Sequence, residues 1–556
     1  MRKLKTLSLG VTFLLVFAFL AAMPASAAAG PTKYTYTYGF WGEEIYTPDA
    51  YYVSTVLNFV EFESDGQSIG NLSNPQGLFV DENDNLIYIC DTGNNRIIVV
   101  KYIEETSSYE LVKVVNHIYI DPADVPTAVN APVAAPPASG DDDDDEINDD
   151  GIEDVDVPLA AAEFDTTESL YNEDGLIQST FSAPHDIFIS RRGEIFIADT
   201  NNQRILRLDK DFNYINSIFK PEAIEETRLE FLPCKLAVDF SNRVFAQVRN
   251  VNKGFMEFTV EGDFIGYMGA SRVQVSLYDY FWKMIATDAM RSQMELFVPT
   301  EYNNIALDDS GFVYATLSTF AEFQIEDADP VRRLNAVGSD ILVRNGYWVP
   351  VGDWWWSNLG GAWGPSRFSD VVPLANDAYA CLDRNRGRIF AYDFQGNLLY
   401  AFGGRGNMEG RFLDAVAIDR MGADLFVLDA RAGTVTRFNL TEYGLLINQA
   451  MQYYYNGLYD ESAEKWDQVL KLNGNYDLAY IGKGRAALRN EEFLTAMRYY
   501  EYKLDQENYG KAFQLYRKQW IEENITTIII VVISLFVISK ALKITLKILK
   551  KRRGGA

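Results

Sequence analysis

Two stretches of the chain decide the fold. Residues 75–100 read PQGLFVDENDNLIYICDTGNNRIIVV, and residues 184–208 read PHDIFISRRGEIFIADTNNQRILRL. Each contains three short apolar runs separated by polar turns, and the second turn of each begins with Asp-Thr. Apolar runs bounded by Asn, Asp and Gly are typical of strands in hairpins. Each stretch therefore predicts three strands of an antiparallel sheet, which must stack on other sheets to bury its faces.

Weaker copies of this pattern follow along the chain. They occupy residues 233–246, 304–315, 370–392 and 413–438. Six copies predict six sheets, arranged as the blades of a ring. After the third strand of the sixth copy the pattern becomes helical, so that its fourth strand must come from elsewhere. We expect the alternating Tyr34–Tyr38 stretch to supply it, because a closed ring leaves no sheet edge exposed.

The two strong copies closely resemble the NHL repeat, a family of β-propeller blades, over roughly residues 75–440. The resemblance implies a mainly β fold, a six-bladed NHL-type β-propeller within residues 31–440. It is weaker in the third and fourth copies, where the Asp-Thr turn is lost and residues 271–300 intervene. Enzymes on related propellers, lactonases and lyases among them, hold metal ligands around the central channel.

The two ends of the chain predict export and a membrane anchor. Residues 1–27 have basic residues, a short apolar run and then Ala25-Ser26-Ala27, the pattern of a cleaved signal peptide. Residues 522–543 are apolar enough to span a bilayer as one transmembrane helix. Residues 544–556 form a basic tail, which the positive-inside rule places in the cytoplasm. The propeller is therefore expected outside the cell membrane.

Charge and cysteine content exclude some classes of function. The net charge is −28, and nucleic-acid binding needs clustered basic residues on the folded part, so no nucleic-acid partner is expected. The three cysteines make no disulfide framework and are interpreted as small buried residues.

An acidic, Pro- and Ala-rich stretch, residues 121–165, interrupts the repeats and is predicted to be a disordered loop within the first blade. A calcium loop around Asn148 and Asp150 is the alternative interpretation, although the twelfth position is Val157 instead of a bidentate Glu.

A helical module follows the repeats. Residues 443–476 and 477–510 align with each other, and the second copy resembles a tetratricopeptide repeat. Gly484 and Ala496 stand at the small positions where paired helices cross, and Phe493 and Tyr500 at large packing positions. The chain is thus expected to carry a small all-α TPR-like module over residues 443–520, either as a stalk or as a partner-binding groove.

The channel mouth is the first candidate site. His185 and Asp186 precede an inner strand of the second copy, and Gln76 and Asp414 are assigned to corresponding places in other copies. His185 is interpreted as a hydrogen-bonded turn residue, with a ligand or base role as the alternative. Two histidines in the whole chain cannot form a three-histidine zinc site. No cofactor is predicted, and a calcium ion held by Asp186, Asp414 and neighbours stays open.

The second candidate site is a cluster of tryptophans spaced by glycines. It consists of Trp348, Trp354, Trp355, Trp356 and Trp363. Aromatic faces on a loop suit sugar rings, whereas the competing interpretation is a local aromatic core.

These observations favour a binding or scaffold protein over an enzyme. The expected partners are the membrane, through one span, and an extracellular polymer, an oligosaccharide or a protein such as an uptake complex. Two alternatives stay open: an extracellular calcium-dependent lactonase or lyase, and a structural module of the cell envelope.

Overall fold

The computed structural model describes residues 35–39, 42–64, 66–124, 172, 175–222, 230–269, 301–317, 329–346, 348–354 and 364–553. The predicted signal peptide, residues 125–165 of the acidic stretch and residues 271–300 lie outside the described residues.

Within this part of the chain, antiparallel sheets form the six blades of a β-propeller, as the repeats predict. The inner strand of each blade lies against the inner strands of its two neighbours, which closes the ring around a central channel. The strands, from the channel outward, are Gly77–Asp81, Leu86–Asp91, Arg96–Ile103 and Ser108–Val115 in blade 1; Pro184–Ile189, Ile195–Asp199, Arg204–Leu208 and Tyr214–Ile218 in blade 2; Pro233–Val238, Arg243–Val248, Phe255–Thr259 and Phe264–Met268 in blade 3; Tyr302–Leu307, Val313–Leu317 and Val331–Leu334 in blade 4; Phe368–Pro373, Tyr379–Asp383, Arg388–Tyr392 and Leu398–Gly403 in blade 5; and Ala415–Met421, Asp424–Asp429, Thr434–Leu440 and Tyr51–Asn58 in blade 6.

The aspartate of the repeated turn holds each strong blade together at one end. In blade 2 the Asp199 carboxylate accepts hydrogen bonds from the Ser182 amide at 2.8 Å, the Asn202 side chain at 2.8 Å and Arg204 Nε at 2.9 Å. Asp91 makes the same three bonds in blade 1, to Ser73, Asn94 and Arg96. One carboxylate thereby joins the start of the first strand to the turn and to the third strand.

The threonine of the same turn joins neighbouring blades. Thr92 of blade 1 donates a hydrogen bond of 2.8 Å to the carbonyl of Pro184 in blade 2. Thr200 of blade 2 donates one of 2.6 Å to the carbonyl of Pro233 in blade 3. The Asp-Thr sequence therefore encodes both the closure of a blade and its attachment to the next one.

An N-terminal strand closes the ring, as expected, but the segment predicted for it is the wrong one. Tyr51–Asn58 pairs with Thr434–Leu440 as the fourth strand of blade 6. The described part of the predicted strand, Tyr36–Tyr38, pairs instead with the outer strand of blade 5 and with Glu44–Tyr46. Blade 5 consequently has six strands. The mixed apolar and polar strand at 51–58 fits the ring edge because only Tyr51 and Leu57 are fully buried in it.

The prediction that the acidic insertion lies within the first blade is wrong. The insertion lies between blades 1 and 2. His117–Ile120 pairs with Ile177–Thr180 on either side of it, after the fourth strand of blade 1 and before blade 2. This hairpin fixes the ends of the insertion at one point of the ring. A further short hairpin, Glu63–Ser64 with Gln67–Ser68, precedes blade 1.

Five helices follow the last blade in the described part of the chain. They are α1 (Glu442–Tyr455), α2 (Tyr459–Leu472), α3 (Asp477–Arg489), α4 (Phe493–Tyr502) and α5 (Gln506–Arg553). Thr441 caps α1 by accepting a hydrogen bond from the Gly444 amide. Helices α3 and α4 cross closely, since a Cβ atom added to Gly484 would lie 2.7 Å from the Tyr500 ring. The identification of these helices as tetratricopeptide repeats stays a prediction.

Helices α1, α2 and α3 share one hydrophobic core with blades 5 and 6. Tyr443, Trp466 and Tyr476 are buried together with strand residues such as Leu399 and Phe402. The Tyr476 hydroxyl also donates a hydrogen bond of 2.7 Å to the Leu399 carbonyl. The helical module is therefore packed directly on the propeller.

Helix α5 is continuous from the module to Arg553. Its stretch up to Lys550 is long and apolar enough to cross a membrane. The predicted span, residues 522–543, and the predicted tail both lie on this one helix as far as Arg553.

All three cysteines are buried and free, as predicted.

Candidate functional site

One position at the start of the inner strand repeatedly faces the mouth of the channel. In blades 2 to 6 the pairing register shifts at this point, which leaves one residue out of the ladder. These residues are His185, Cys234, Asn303, Ser369 and Val416, and Gln76 has the corresponding place in blade 1. The shift corrects one prediction, because Val416 and not Asp414 corresponds to His185. Bulges of this kind aim side chains into a site without breaking the sheet.

A cavity of about 490 Å³ opens at this mouth, and we call it the cup. All six blades, with the segments just before their inner strands, contribute to its wall. Its lining residues are Gln76, His185, Lys235, Asn303, Arg367, Phe368, Ser369, Arg384, Asn385, Arg405, Asp414 and Val416. Three predicted site residues, Gln76, His185 and Asp414, therefore meet in one cavity.

The fourth, Asp186, lies one layer deeper in the channel, beside a second cavity of about 110 Å³. Lys235 Nζ lies 3.1 Å from one oxygen of Asp186, and the Leu236 amide donates to the other at 3.0 Å. The Asn304 amide donates to Asp370 in the same layer. These buried pairs form the floor of the cup, which Lys235 also lines.

Burial changes the charges of the channel carboxyl groups. It raises the pKa of Asp370 to about 7, although the positive charge of Lys235 opposes this shift. It raises the pKa of Asp419, a further channel residue, to about 7, and it also raises the pKa of Asp186. Near neutral pH the channel therefore carries less negative charge than its number of carboxyl groups indicates.

His185 is a neutral group on the cup wall. Burial, together with the positive charges of Lys235 and Arg249, lowers its pKa to about 3. Its Nδ1 atom is buried and has no hydrogen-bond partner within the described structure. A buried nitrogen without a partner lowers stability, because it has lost its hydrogen bonds to water. The interpretation of His185 as a hydrogen-bonded turn residue stays a prediction.

Arginines from blade 5 and from its connection to blade 6 dominate one side of the cup. Arg384 binds both oxygens of Asp414, at 2.6 and 2.8 Å. Arg405 donates a hydrogen bond of 3.3 Å to the Asn385 carbonyl. Among the residues that the structure describes, Arg367 and Arg405 make no ion pair with a carboxylate. This side of the cup therefore carries uncompensated positive charge.

Sequence reasoning missed these arginines, although the signal was present. The register places Arg384 at the position that Thr92 and Thr200 occupy in blades 1 and 2. The fifth copy thus replaces a threonine that joins blades with an arginine that reaches the cup. The sequence Asp383-Arg384-Asn385-Arg386 departs from the Asp-Thr turn of the repeat, and this departure indicates a different role for the turn in blade 5.

The described residues contain no group of three or more His, Cys, Asp or Glu side chains suited to a metal ion. Asp186 and Asp414, the proposed calcium ligands, are engaged by Lys235 and Arg384 respectively.

The tryptophan cluster is described only in part. Trp348 is half-buried, and its ring centroid lies 6.3 Å from that of Tyr38 against the core of blade 5. Trp354 is also half-buried. Trp355, Trp356 and Trp363 lie outside the described residues. For Trp348 the arrangement corresponds to the aromatic-core interpretation.

Asp353 anchors the start of the tryptophan segment. Its buried carboxylate accepts hydrogen bonds from the hydroxyls of Tyr36 and Tyr38, at 2.8 and 2.7 Å. Arg386 and Arg388 contact the other oxygen. The added N-terminal strand is thereby tied to blade 5 at the same point.

One family model and several solved structures are similar to parts of this chain. A sequence model of the NHL repeat matches residues 72–100, which lie in blade 1. A search of curated proteins found no match. Similar solved structures include virginiamycin B lyase from Staphylococcus aureus, with 12% identity, a TM-score of 0.36, and coverage of 70% of this chain and 99% of that chain. A streptogramin B lyase has 10% identity and a TM-score of 0.36, with coverage of 71% of this chain and 100% of that chain. A putative gluconolactonase has 9% identity and a TM-score of 0.36, with coverage of 71% of this chain and 94% of that chain.

Proposed function

We propose that this protein is a membrane-anchored, extracytoplasmic binding module that captures a polar ligand in the cup of its propeller. The ligand class is an oligosaccharide or a segment of an extracellular polymer. The observation that carries the proposal is the cup itself, about 490 Å³ in volume and lined by side chains from all six blades. Ligand sites commonly have volumes of about 300–1,000 Å³ and a few convergent polar groups.

The wall of the cup offers the hydrogen-bonding groups that a sugar needs. Asn303 and Asn385 line the cup with amides, Ser369 with a hydroxyl and His185 with a neutral ring. The amide nitrogens of Asn303 and Asn385 and the hydroxyl of Ser369 also donate to backbone carbonyls, which holds these groups in place on the wall. Sugar hydroxyls both donate and accept hydrogen bonds, so that mixed amide and hydroxyl groups suit them. The buried ion pair of Asp186 with Lys235 lies below the cup.

We prefer binding to catalysis because the acidic groups of the channel already have partners within the protein. A calcium-dependent lactonase or lyase would need several convergent oxygen ligands. In the described channel, Asp186 pairs with Lys235 and Asp370 accepts from Asn304, so that their oxygens are already engaged. A scaffold role for the helical module, with a partner such as an uptake complex, is compatible with ligand capture.

Filling the cup tests the proposal. Gln76→Trp places a large ring at the mouth, where the Gln76 side chain bonds only to Asn74 in the described structure. The full-length variant in mild detergent should lose binding to the oligosaccharides that the unmodified protein binds, without a change in its unfolding midpoint. Gln67→Trp, at an exposed position of the short hairpin, is the matched control and should bind normally. Undiminished binding by the Gln76 variant would refute the cup as the site.

A further inference from the structure

We infer that the cup selects ligands that carry an oxyanion, a carboxylate or a phosphate, on a sugar-like body. This inference rests on the proposed function and names the ligand class of the same site. Four of the twelve lining residues, Lys235, Arg367, Arg384 and Arg405, are cationic, whereas only Asp414 is acidic. The excess is notable because the whole chain has a net charge of −28.

The four cations are not equally available to a ligand. Lys235 is paired with buried Asp186, and Arg384 is held by Asp414. Arg367 has an exposed side chain, and Arg405 is half-buried with a single bond to a backbone carbonyl. Since neither has a carboxylate partner in the described structure, Arg367 and Arg405 are the two groups that an incoming oxyanion would meet first.

Gathering these cations in one concave site has an electrostatic cost. Like charges repel each other, and the repulsion is stronger in a cavity than in open water because fewer water molecules screen it. A bound oxyanion relieves that repulsion. Guanidinium groups suit this task because their planar fork matches the two oxygens of a carboxylate or phosphate.

The rest of the wall supplies contacts for the uncharged part of such a ligand. Gln76, His185 and Asn303 come from blades 1, 2 and 4, whereas the arginines come from blade 5 and its connection to blade 6. Because this histidine stays neutral, it can bond to a hydroxyl without repelling the neighbouring cations. A uronic acid or a phosphorylated sugar combines both kinds of group.

Titration of the full-length protein in mild detergent tests the inference. The probes are an oligogalacturonide, a neutral galactose oligomer of equal length, and inorganic phosphate as a competitor. The acidic oligomer should bind more tightly than the neutral one, and its affinity should fall with added salt. Arg367→Gln and Arg405→Gln should each weaken this binding about tenfold, as expected for loss of a charge-assisted hydrogen bond.

Arg192→Gln is the matched control, because Arg192 lies in the exposed turn at the other end of blade 2. It should leave the affinity unchanged. Competition by phosphate would assign the anion site to phosphate as well, whereas displacement only by free galacturonate would assign it to carboxylates. Equal binding of both oligomers, insensitive to the two arginines but abolished by Gln76→Trp, would overturn the inference and leave the proposed function standing. A protein that binds neither oligomer nor phosphate, with or without Gln76→Trp, would overturn both.

Discussion

Truncation of Leu57 to alanine should measure how much the N-terminal strand contributes to ring closure. Leu57 lies on the last strand of blade 6 opposite Val435, and only 4% of its surface is exposed. It packs in a cluster that also contains Leu78 and Val80 of blade 1, so its side chain joins the last blade to the first. Removing a buried leucine side chain typically costs about 2–5 kcal/mol of unfolding free energy.

The neighbouring residue provides a matched control. Val56 is on the same strand, pairs with Thr436 and points to the other face, where it is 46% exposed. Val56→Ala should change the unfolding free energy by less than about 0.5 kcal/mol.

Urea unfolding of the full-length protein in detergent, followed by tryptophan fluorescence, measures both changes. Limited proteolysis adds a local readout, because loosening of the last strand should expose blade 6 to cleavage before the other blades. Equal shifts for Leu57→Ala and Val56→Ala would refute the assignment of Tyr51–Asn58 as the closing strand.

Four further predictions follow from the same structure. Asp199→Ala should cost about 3–5 kcal/mol of stability in urea unfolding, because it leaves the fully buried Arg204 without its carboxylate; a change below 1 kcal/mol would contradict the role of the turn. Burial raises the pKa of Asp370 from its ordinary value of 3.8 to about 7, so the folded state binds the extra proton in this range. The contribution of Asp370 to stability is therefore present below about pH 4 and is lost as pH rises through about 7; unfolding free energies at pH 5 and 8 should differ less in Asp370→Asn than in the unmodified protein. For topology, protease added to intact cells without a thick wall should digest the propeller and spare an epitope placed after Ala556; protection of both would refute the proposed orientation. For the tryptophan segment, Trp348→Ala should lower the unfolding midpoint, whereas Trp355→Ala should weaken sugar binding with little loss of stability if that residue contributes a stacking face.

The repeated turn explains why so much of the fold could be predicted. Asp199 and Thr200 act over short distances, within a blade and to the next blade, and their chemistry is visible in four or five consecutive letters. The alternation of apolar residues then gives the strands. The number and order of the blades follow from counting the groups of strands, including the weaker copies that lack the Asp-Thr turn.

The closing strand could not be chosen from the sequence because its pairing is non-local. Both Tyr34–Tyr38 and Tyr51–Asn58 have strand-like sequences, and a sheet edge accepts any compatible strand. Which strand pairs with which blade depends on side chains that are distant in sequence. Tyr36 and Tyr38 donate hydrogen bonds to the Asp353 carboxylate, which lies beside blade 5. The longer strand that follows can then reach blade 6.

The cup was only half predictable for a similar reason. Gln76 and His185 stand at repeat positions, so that the repeat itself indicates where they point. Arg367, Arg384 and Arg405 are separated in sequence and meet because the antiparallel strands of blade 5 return to the same end of the ring. Their joint charge is a property of the folded ring.

The course of the chain relates the cup to the membrane anchor. The inner strand of blade 5 begins beside the cup at Phe368 and ends at Pro373, so the turn after it lies at the opposite end of the ring. Asp377 in that turn accepts a hydrogen bond of 3.1 Å from Tyr455 of α1, and Phe394, in another turn at that end, stacks on Tyr454. The helical module therefore contacts the end of the ring away from the cup, and helix α5 leaves from this module. In the proposed topology the membrane lies beyond the module, so the cup opens on the far side of the propeller, where a ligand arriving from the medium reaches it without passing the anchor.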